Sequence, residues 1–264
     1  MPGIPFTKAS ACGNDFLIID GAHLPADAAA FTRNICDRHD GIGADGVEWI
    51  FPGKEGADVE CRLINADGSA AEVSGNGTRC VAAWWHSRQS GQQRVVNVLT
   101  GAGAKECRVV SAAGTEYQFE MKIGVPQIAG ERKLALSSGE VSGLQLNMGN
   151  PQFVVFVDNF DFPWQARGAE IQAQSQHFPE GTNVDFVRVT GPDRIEARFF
   201  ERGAGETRSS GTGSCASAVA AIHLRGVKSP VTVVAPGGSQ EGRWEKEVFL
   251  TGPARLIGEG TFFI

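Results

Sequence analysis

The sequence predicts an α/β protein of two similar halves with a cleft between them, and three observations predict it. First, short glycine-containing segments recur at one spacing. Gly13-Asn14 returns as Gly149-Asn150, Ser74-Gly75-Asn76-Gly77 as Ser210-Gly211-Thr212-Gly213, and Asn65 before a turn as Glu201 before another, each 136 residues later. Chance glycine pairs would not share one spacing across three separated places, so the halves are read as related by a pseudo-twofold axis. Second, both halves show the same order of elements. Third, the helical stretch after each Ser-Gly turn is rich in small residues (Ala82, Ala83; Ala216, Ala218, Ala220, Ala221), as a helix packed closely inside a sheet requires.

Taken in order, each half starts with a Gly-Asn turn and a strand, Phe16 to Asp20 and Gln152 to Asp158. A helical pattern follows, near Ala26 to His39 and near Pro163 to Gln174. Two strands come next, Val47 to Phe51 and Glu60 to Asn65 in the first half, Val184 to Thr190 and Arg194 to Glu201 in the second. Each half then reaches its glycine-rich turn and a helix, near Thr78 to Gln89 and near Ser214 to Arg225, the second stopping at Gly226 as a left-handed cap. Lys105 to Val110 and Tyr117 to Ile123 read as further strands. The halves are placed at 1–120 and 121–254, with a final strand, 255–264, able to join the first.

Composition narrows the function. The 264 residues carry a net charge of −6, which gives no basic footprint for nucleic acid or an acidic membrane surface. No apolar run approaches the roughly 20 residues that cross a bilayer, and no signal-peptide core is present. The six cysteines and five histidines are scattered without metal-ligand or disulfide spacing. A reduced, cytoplasmic protein without a metal is expected.

The two Ser-Gly-x-Gly turns are the strongest chemical signal. A helix start presents backbone N–H groups and the positive end of its dipole, and glycine lets an anion approach them. One such turn could be no more than a serine cap. Two related by the repeat would put two helix starts on opposite sides of one small acid. Asn14, Asn65, Asn150 and Asn183 stand beside turns, where amides can meet carboxylate or ammonium groups. Glu201-Arg202 offers an acid and a base for the two ends of an amino acid. Gly41-Ile42-Gly43-Ala44-Asp45-Gly46 matches a dinucleotide fingerprint by letter only, because it follows a helix and enters a strand.

With those residues in view, the chain resembles diaminopimelate epimerases along nearly its whole length. The matching stretches are Gly13-Asn14-Asp15-Phe16, Asp37-Arg38-His39 with Gly41 to Asp45, Asn65-Ala66-Asp67-Gly68-Ser69, Gly75-Asn76-Gly77-Thr78-Arg79-Cys80, Gly149-Asn150-Pro151 and Glu201 to Thr207. The resemblance implies two pseudo-symmetric domains, each a curved mixed or antiparallel sheet wrapped around a central helix, with the active site in the cleft between them. It implies epimerisation of LL- and meso-diaminopimelate, or a similar amino acid, without pyridoxal phosphate or any other cofactor. In the family two cysteines on opposite faces of the α-carbon remove and return its proton. By the same carry-over, Gly75, Asn76, Gly211 and Thr212 would hold the α-carboxylate, Asn65, Asn183, Glu201 and Arg202 the distal end, and Asn14 and Asn150 the reacting centre. A small amino acid as partner, a homodimer, and a role in lysine and cell-wall precursor synthesis come with the resemblance.

Three positions depart from the family. Serines, Ser74 and Ser210, stand where its catalytic cysteines are expected, and Gln152 where a histidine usually helps poise a thiolate. The three together favour a natural branch over an engineered pair of substitutions. A serine hydroxyl is a weak base unless a neighbour activates it. Glu201 is the best-placed neighbour in the sequence, so Ser74, Ser210 and Glu201 are the expected catalytic set. Cys80 and Cys215 sit too far into their helices to replace the missing thiols and read as buried structural residues. Two further readings stay open: a proton-shifting isomerase on another acid that uses Glu201, and an amino-acid-binding homologue with impaired catalysis.

Overall fold

Residues 3–89 and 93–263 are described by a computed structural model. Residues 1–2, 90–92 and 264, including the end of the expected strand 255–264, lie outside the described residues. The chain forms two units, Met1–Met121 with Gly252–Ile264, and Lys122–Thr251.

In unit 1 the strands are β1 (Gly3–Ala11), β2 (Asn14–Asp20), β3 (Gly46–Pro52), β4 (Val59–Asn65), the short β5 (Ala70–Ala71), β6 (Val95–Thr100), β7 (Gly103–Ala113) and β8 (Glu116–Gly124), which runs on past the boundary. Neighbours pair in the order β1, β2, β3, β4, β6, β7, β8, antiparallel except for β2 with β3 and β4 with β6. The long last strand of the chain, β17 (Val248–Phe263), pairs with both β1 and β8 and closes the ring. Helix α2 (Gly75–Arg88) fills this ring, buried from Asn76 to Ala83. Helix α1 (Ala28–Cys36) covers the other face of the sheet, where Ile35 and Cys36 meet Leu17, Ile19, Val47 and Trp49.

Unit 2 repeats the plan. Its elements are β9 (Gln127–Leu136), β10 (Gly139–Asn147), β11 (Pro151–Phe156), α3 (Trp164–Gln172), β12 (Asn183–Gly191), β13 (Arg194–Glu201), β14 (Gly205–Thr207), α4 (Gly211–Arg225), β15 (Val231–Ala235) and β16 (Gly238–Trp244). The pairing order is β9, β10, β11, β12, β13, β15, β16, then the start of β17. Again only two neighbours are parallel, β11 with β12 and β13 with β15. Buried from Gly213 to Ala221, α4 packs against Leu146, Val154, Val187, Ile195 and Val233 of the surrounding strands. Strands buried on both faces, inner helix on one side and outer helix on the other, read as continuous apolar runs such as Phe16 to Ile19.

The fold is therefore the expected one: mixed sheets around central helices, in two repeated halves. The helix starts differ. α2 and α4 begin at Gly75 and Gly211, three residues earlier than the glycine patterns suggested. Ser74 and Ser210 are their N-caps, each accepting the N–H of the glycine three residues on at 3.1 Å, so the glycines form the first turn itself. At the other end of α4, Gly226 has φ 64°, the left-handed stop that was expected.

Candidate active site

The unit 1 turn is held by a chain of amides. Ser74 caps α2, and its carbonyl accepts both the N–H and the hydroxyl of Thr78 at 2.7 Å. Behind the cap, Nδ2 of Asn76 donates to Oδ1 of Asn14 at 2.7 Å, and Nδ2 of Asn14 donates to Oδ2 of Asp45 at 3.0 Å. At the inner end the wholly buried Arg79 donates to Oδ1 of Asn76, and its Nε to the Pro253 carbonyl at 3.1 Å. At the outer end Arg38 bridges Asp45 and Asp15 at 2.7 and 2.8 Å, and Lys8 reaches Asp15 at 3.1 Å. Burial alone would raise the Asp15 carboxyl, but bonds from Arg38 and Lys8 outweigh it and hold the group below its usual range. These contacts fix which way the Asn14 and Asn76 amides face. Asn65 ends β4 and gives its amide to Ser69 Oγ at 3.0 Å instead of joining the chain.

In unit 2 the matching turn carries the charge. Ser210 caps α4, and Glu201, with the Ser210 hydroxyl beside it, accepts from Thr207 Oγ1 at 2.6 Å. Burial raises the Glu201 carboxyl, while the Thr207 and Ser210 hydroxyls oppose the rise. Gln152, fully buried, donates from Nε2 to Asn150 Oδ1 at 2.8 Å and to Thr212 Oγ1 at 3.1 Å, and its Oε1 has no partner. Asn183 donates to the Pro151 carbonyl at 3.1 Å and accepts from the Arg202 N–H at 2.9 Å. The Arg202 guanidinium turns to the Glu180 carbonyl while Glu201 turns to Thr207, so the two neighbours serve different ends of the turn.

Each unit thus gathers its own predicted residues. Asn14, Asn76 and Ser74 come together at one helix start, where Gly75 leads the helix. Asn150, Gln152, Thr212, Ser210 and Glu201 come together at the other, where Gly211 leads it. Sequence reasoning gave no role to Arg79 and Asp45, the two anchors of the amide chain. The position of Arg79 one helical turn after Asn76 was the available signal. Glu48 and Asp185, two buried carboxyls, were missed entirely. Cys80 and Cys215 are wholly buried, and burial pushes the Cys80 thiol far up, away from thiolate. Among the described residues, no group of three or more His, Cys, Asp and Glu side chains is placed to hold a metal, and no helix is long and apolar enough to cross a membrane.

The diaminopimelate epimerase family model matches residues 6–129 and 144–257. The chain belongs to that family. A diaminopimelate epimerase of Microcystis aeruginosa is 36% identical over 283 residues, spanning 98% of this chain and 99% of the relative. One from Xylella fastidiosa is 37% identical over 274 residues, spanning 98% and 96%. Among solved structures, a probable proline racemase from Agrobacterium radiobacter K84 superposes with a TM-score of 0.72 at 15% identity, covering 99% of this chain and 93% of that one. A methylitaconate-delta-isomerase superposes with a TM-score of 0.65 at 17% identity, covering 98% and 95%. At such identities the structural likeness speaks for the fold, while the sequence matches place the chain in a family of isomerases.

Proposed function

We propose that the protein is a cofactor-independent epimerase that interconverts LL- and meso-diaminopimelate, or a similar amino acid, by removing and returning the α-proton. The observation that carries this reading is the placement of Glu201 beside the Ser210 cap at the start of α4, where the serine hydroxyl opposes the rise that burial imposes on the carboxyl. A lone serine is too weak a base for a carbon acid, but a serine paired with a carboxylate can pass a proton to it. In the proposed assignment the backbone N–H groups at Gly75, Asn76, Gly211 and Thr212 take the α-carboxylate. There the helix dipoles stabilise the charge that develops when the α-carbon loses its proton. Asn14 and Asn150 line the reacting centre, Gln152 offers its unpartnered Oε1 to the ammonium group, and Asn65, Asn183 and Arg202 take the distal end. As an amide, Gln152 cannot accept a proton as the family's histidine can. The base role therefore falls to Glu201. The reading also places the protein in the cytoplasm, as a homodimer, in lysine biosynthesis.

The test is incubation of the protein with each diaminopimelate isomer in D₂O, with the α-proton followed by NMR. Loss of the α-proton signal together with interconversion supports the reading, and saturable binding without exchange defeats it. A second reading, a proton-shifting isomerase on a different acid, is favoured by one observation, serine at both turns. Exchange with an unsaturated dicarboxylic acid but not with either diaminopimelate isomer would select it.

A further inference from the structure

Two buried carboxyl groups stand at matching places in the repeat, and the proposed chemistry leaves them unassigned. Phe16 on β2 faces Gly46 on β3, and its repeat mate Gln152 on β11 faces Asn183 on β12. Two residues beyond these partners lie Glu48 and Asp185, each 1% exposed. Both aim at the first turn of an inner helix. A Cβ on Gly77 would overlap Oε1 of Glu48, and one on Gly213 would stand 2.9 Å from Oδ1 of Asp185. The same point above Gly77 is 3.2 Å from Cβ of Ser74, so Glu48 reaches the turn that the serine caps. Oε2 of Glu48 and both carboxyl oxygens of Asp185 have no hydrogen-bond partner. The groups facing Glu48 are the Cys61 thiol on β4, which is hydrogen-bonded to it, and Cys80 on α2, with Cys107 on β7 behind Cys61. Facing Asp185 is Glu201 on β13. The cation among these neighbours is Arg79, which acts on Cys80 and Cys107 but gives its bonds to Asn76 and the Pro253 carbonyl and pairs with neither carboxyl. An unpaired buried carboxylate is costly, so the neutral acid is the favoured form.

The repeat is unequal at one place. The residue matching Glu201 in unit 1 is Asn65. The unit 1 turn is therefore backed by one carboxyl, Glu48, and the unit 2 turn by two, Asp185 and Glu201. Two buried carboxyls that act on each other electrostatically resist ionising together, so the pair holds one proton and one negative charge, while the single group below about pH 7 holds its proton. Epimerisation needs such a difference, a base for one face of the α-carbon and an acid for the other.

We propose that Glu48 and Asp185 are positioning residues that set the two serine turns to opposite resting states, an acid behind Ser74 and a base behind Ser210. The inference rests on the proposed epimerase function. In one direction the C–H bond breaks, the proton goes to Ser210 Oγ, and the serine's own proton goes to Glu201, leaving its bonding electrons on the α-carbon. On the other face Ser74 gives its proton to that carbon and takes one from Glu48. The carboxyl pair gains the proton that Glu48 loses, and the reverse reaction restores both. Asp185 keeps the second proton throughout, so Glu201 is the group free to accept.

Glu48→Gln keeps the size of the side chain but cannot give up a proton, and the test is its action on each isomer in D₂O. The expected result is a split: interconversion falls by about a hundredfold, while deuterium still enters one isomer with retention of configuration. Asp185→Asn is expected to keep substrate affinity, to leave the acid limb of the pH–rate profile in place and to move the alkaline limb to higher pH, because no second carboxyl is left to ionise beside Glu201. Infrared spectra of the resting protein supply a measurement that needs no activity: a carboxylic-acid C=O band present about one pH unit below the Glu48 midpoint and diminished in each variant. Exchange and interconversion falling together in Glu48→Gln, unchanged rates in both variants, or no such band would overturn the inference. A wild-type protein that exchanges neither isomer defeats the epimerase function instead.

Discussion

Burial of Glu48 ties the stability of unit 1 to pH. Desolvation pushes its carboxyl from 4.5 up to about 7, with the Cys61 hydrogen bond opposing the rise. Between those values the folded chain holds a proton that the unfolded chain has released, so folding loses stability as pH rises and the loss is complete above about 7. A glutamine at this place has no proton to hold. Relative to Glu48→Gln, the wild type should lose roughly 3 kcal/mol of unfolding free energy between pH 4.5 and 7.5. Urea titrations of both proteins at several pH values read this difference, and parallel curves would refute it. Asp15, whose shift runs the other way, is common to both proteins and cancels. Gly77 gives a second test at the same place. Its missing side chain is the space Glu48 occupies, so Gly77→Ala should cost about 1–3 kcal/mol by overpacking. In Gly77→Ala/Glu48→Ala the clash is absent, so the double variant should be more stable than the sum of the single losses predicts.

At the scale of elements, the serine caps have two separable roles. Losing the bond from Ser74 Oγ to the Gly77 N–H should destabilise α2 by about 1 kcal/mol in Ser74→Ala, and by only a few tenths in Ser74→Gly. Both variants lack the hydroxyl. If the hydroxyl moves protons, both should lose interconversion to the same degree while their melting temperatures differ. If it only caps the helix, interconversion should follow stability. The sequence made these caps legible because the Ser-Gly turns repeat at one spacing. It also showed the strands around Phe16 to Asp20 and Val184 to Thr190, whose stretches Phe16 to Ile19 and Val184 to Val187 are buried on both faces. Strands β9 and β16 were not legible. Gln-Ile-Ala-Gly-Glu-Arg-Lys lies mostly exposed on β9, and β16 carries two glycines and four polar residues in seven, so neither has an apolar signature. Glu48 and Asp185 escaped for a different reason. Their spacing is 137, because the stretch before β12 carries one residue more than its mate before β3. A search at 136 therefore passes them by, and only the fold reveals that both are buried.

At the scale of the molecule, the order of the chain makes one unit depend on residues far from it in sequence. Unit 1 is completed by the strand from Gly252 onward, which pairs along β1 from Gly3 with Phe263 to Ser10 with Arg255. It also bonds to Thr115 at the end of β7–β8, buries Ala254, and supplies the Pro253 carbonyl that anchors Arg79 inside the ring. Phe262 packs edge-on against Phe31 at 5.9 Å beside the core residue Trp49. Removing 252–264 would open the ring at two edges, leave the guanidinium of α2 without its carbonyl, and uncover the core below α1. Unit 2 keeps every strand around α4 except what lies past Thr251, and its core from Leu144 to Leu250 is its own. The truncated chain should therefore lose amide protection through β1 to β8 while β10 to β13 and α4 stay protected, as read by hydrogen exchange with mass spectrometry. Equal loss in both units would mean that they fold as one cooperative body. Protection kept in unit 1 would mean that the seven earlier strands of its ring close without β17.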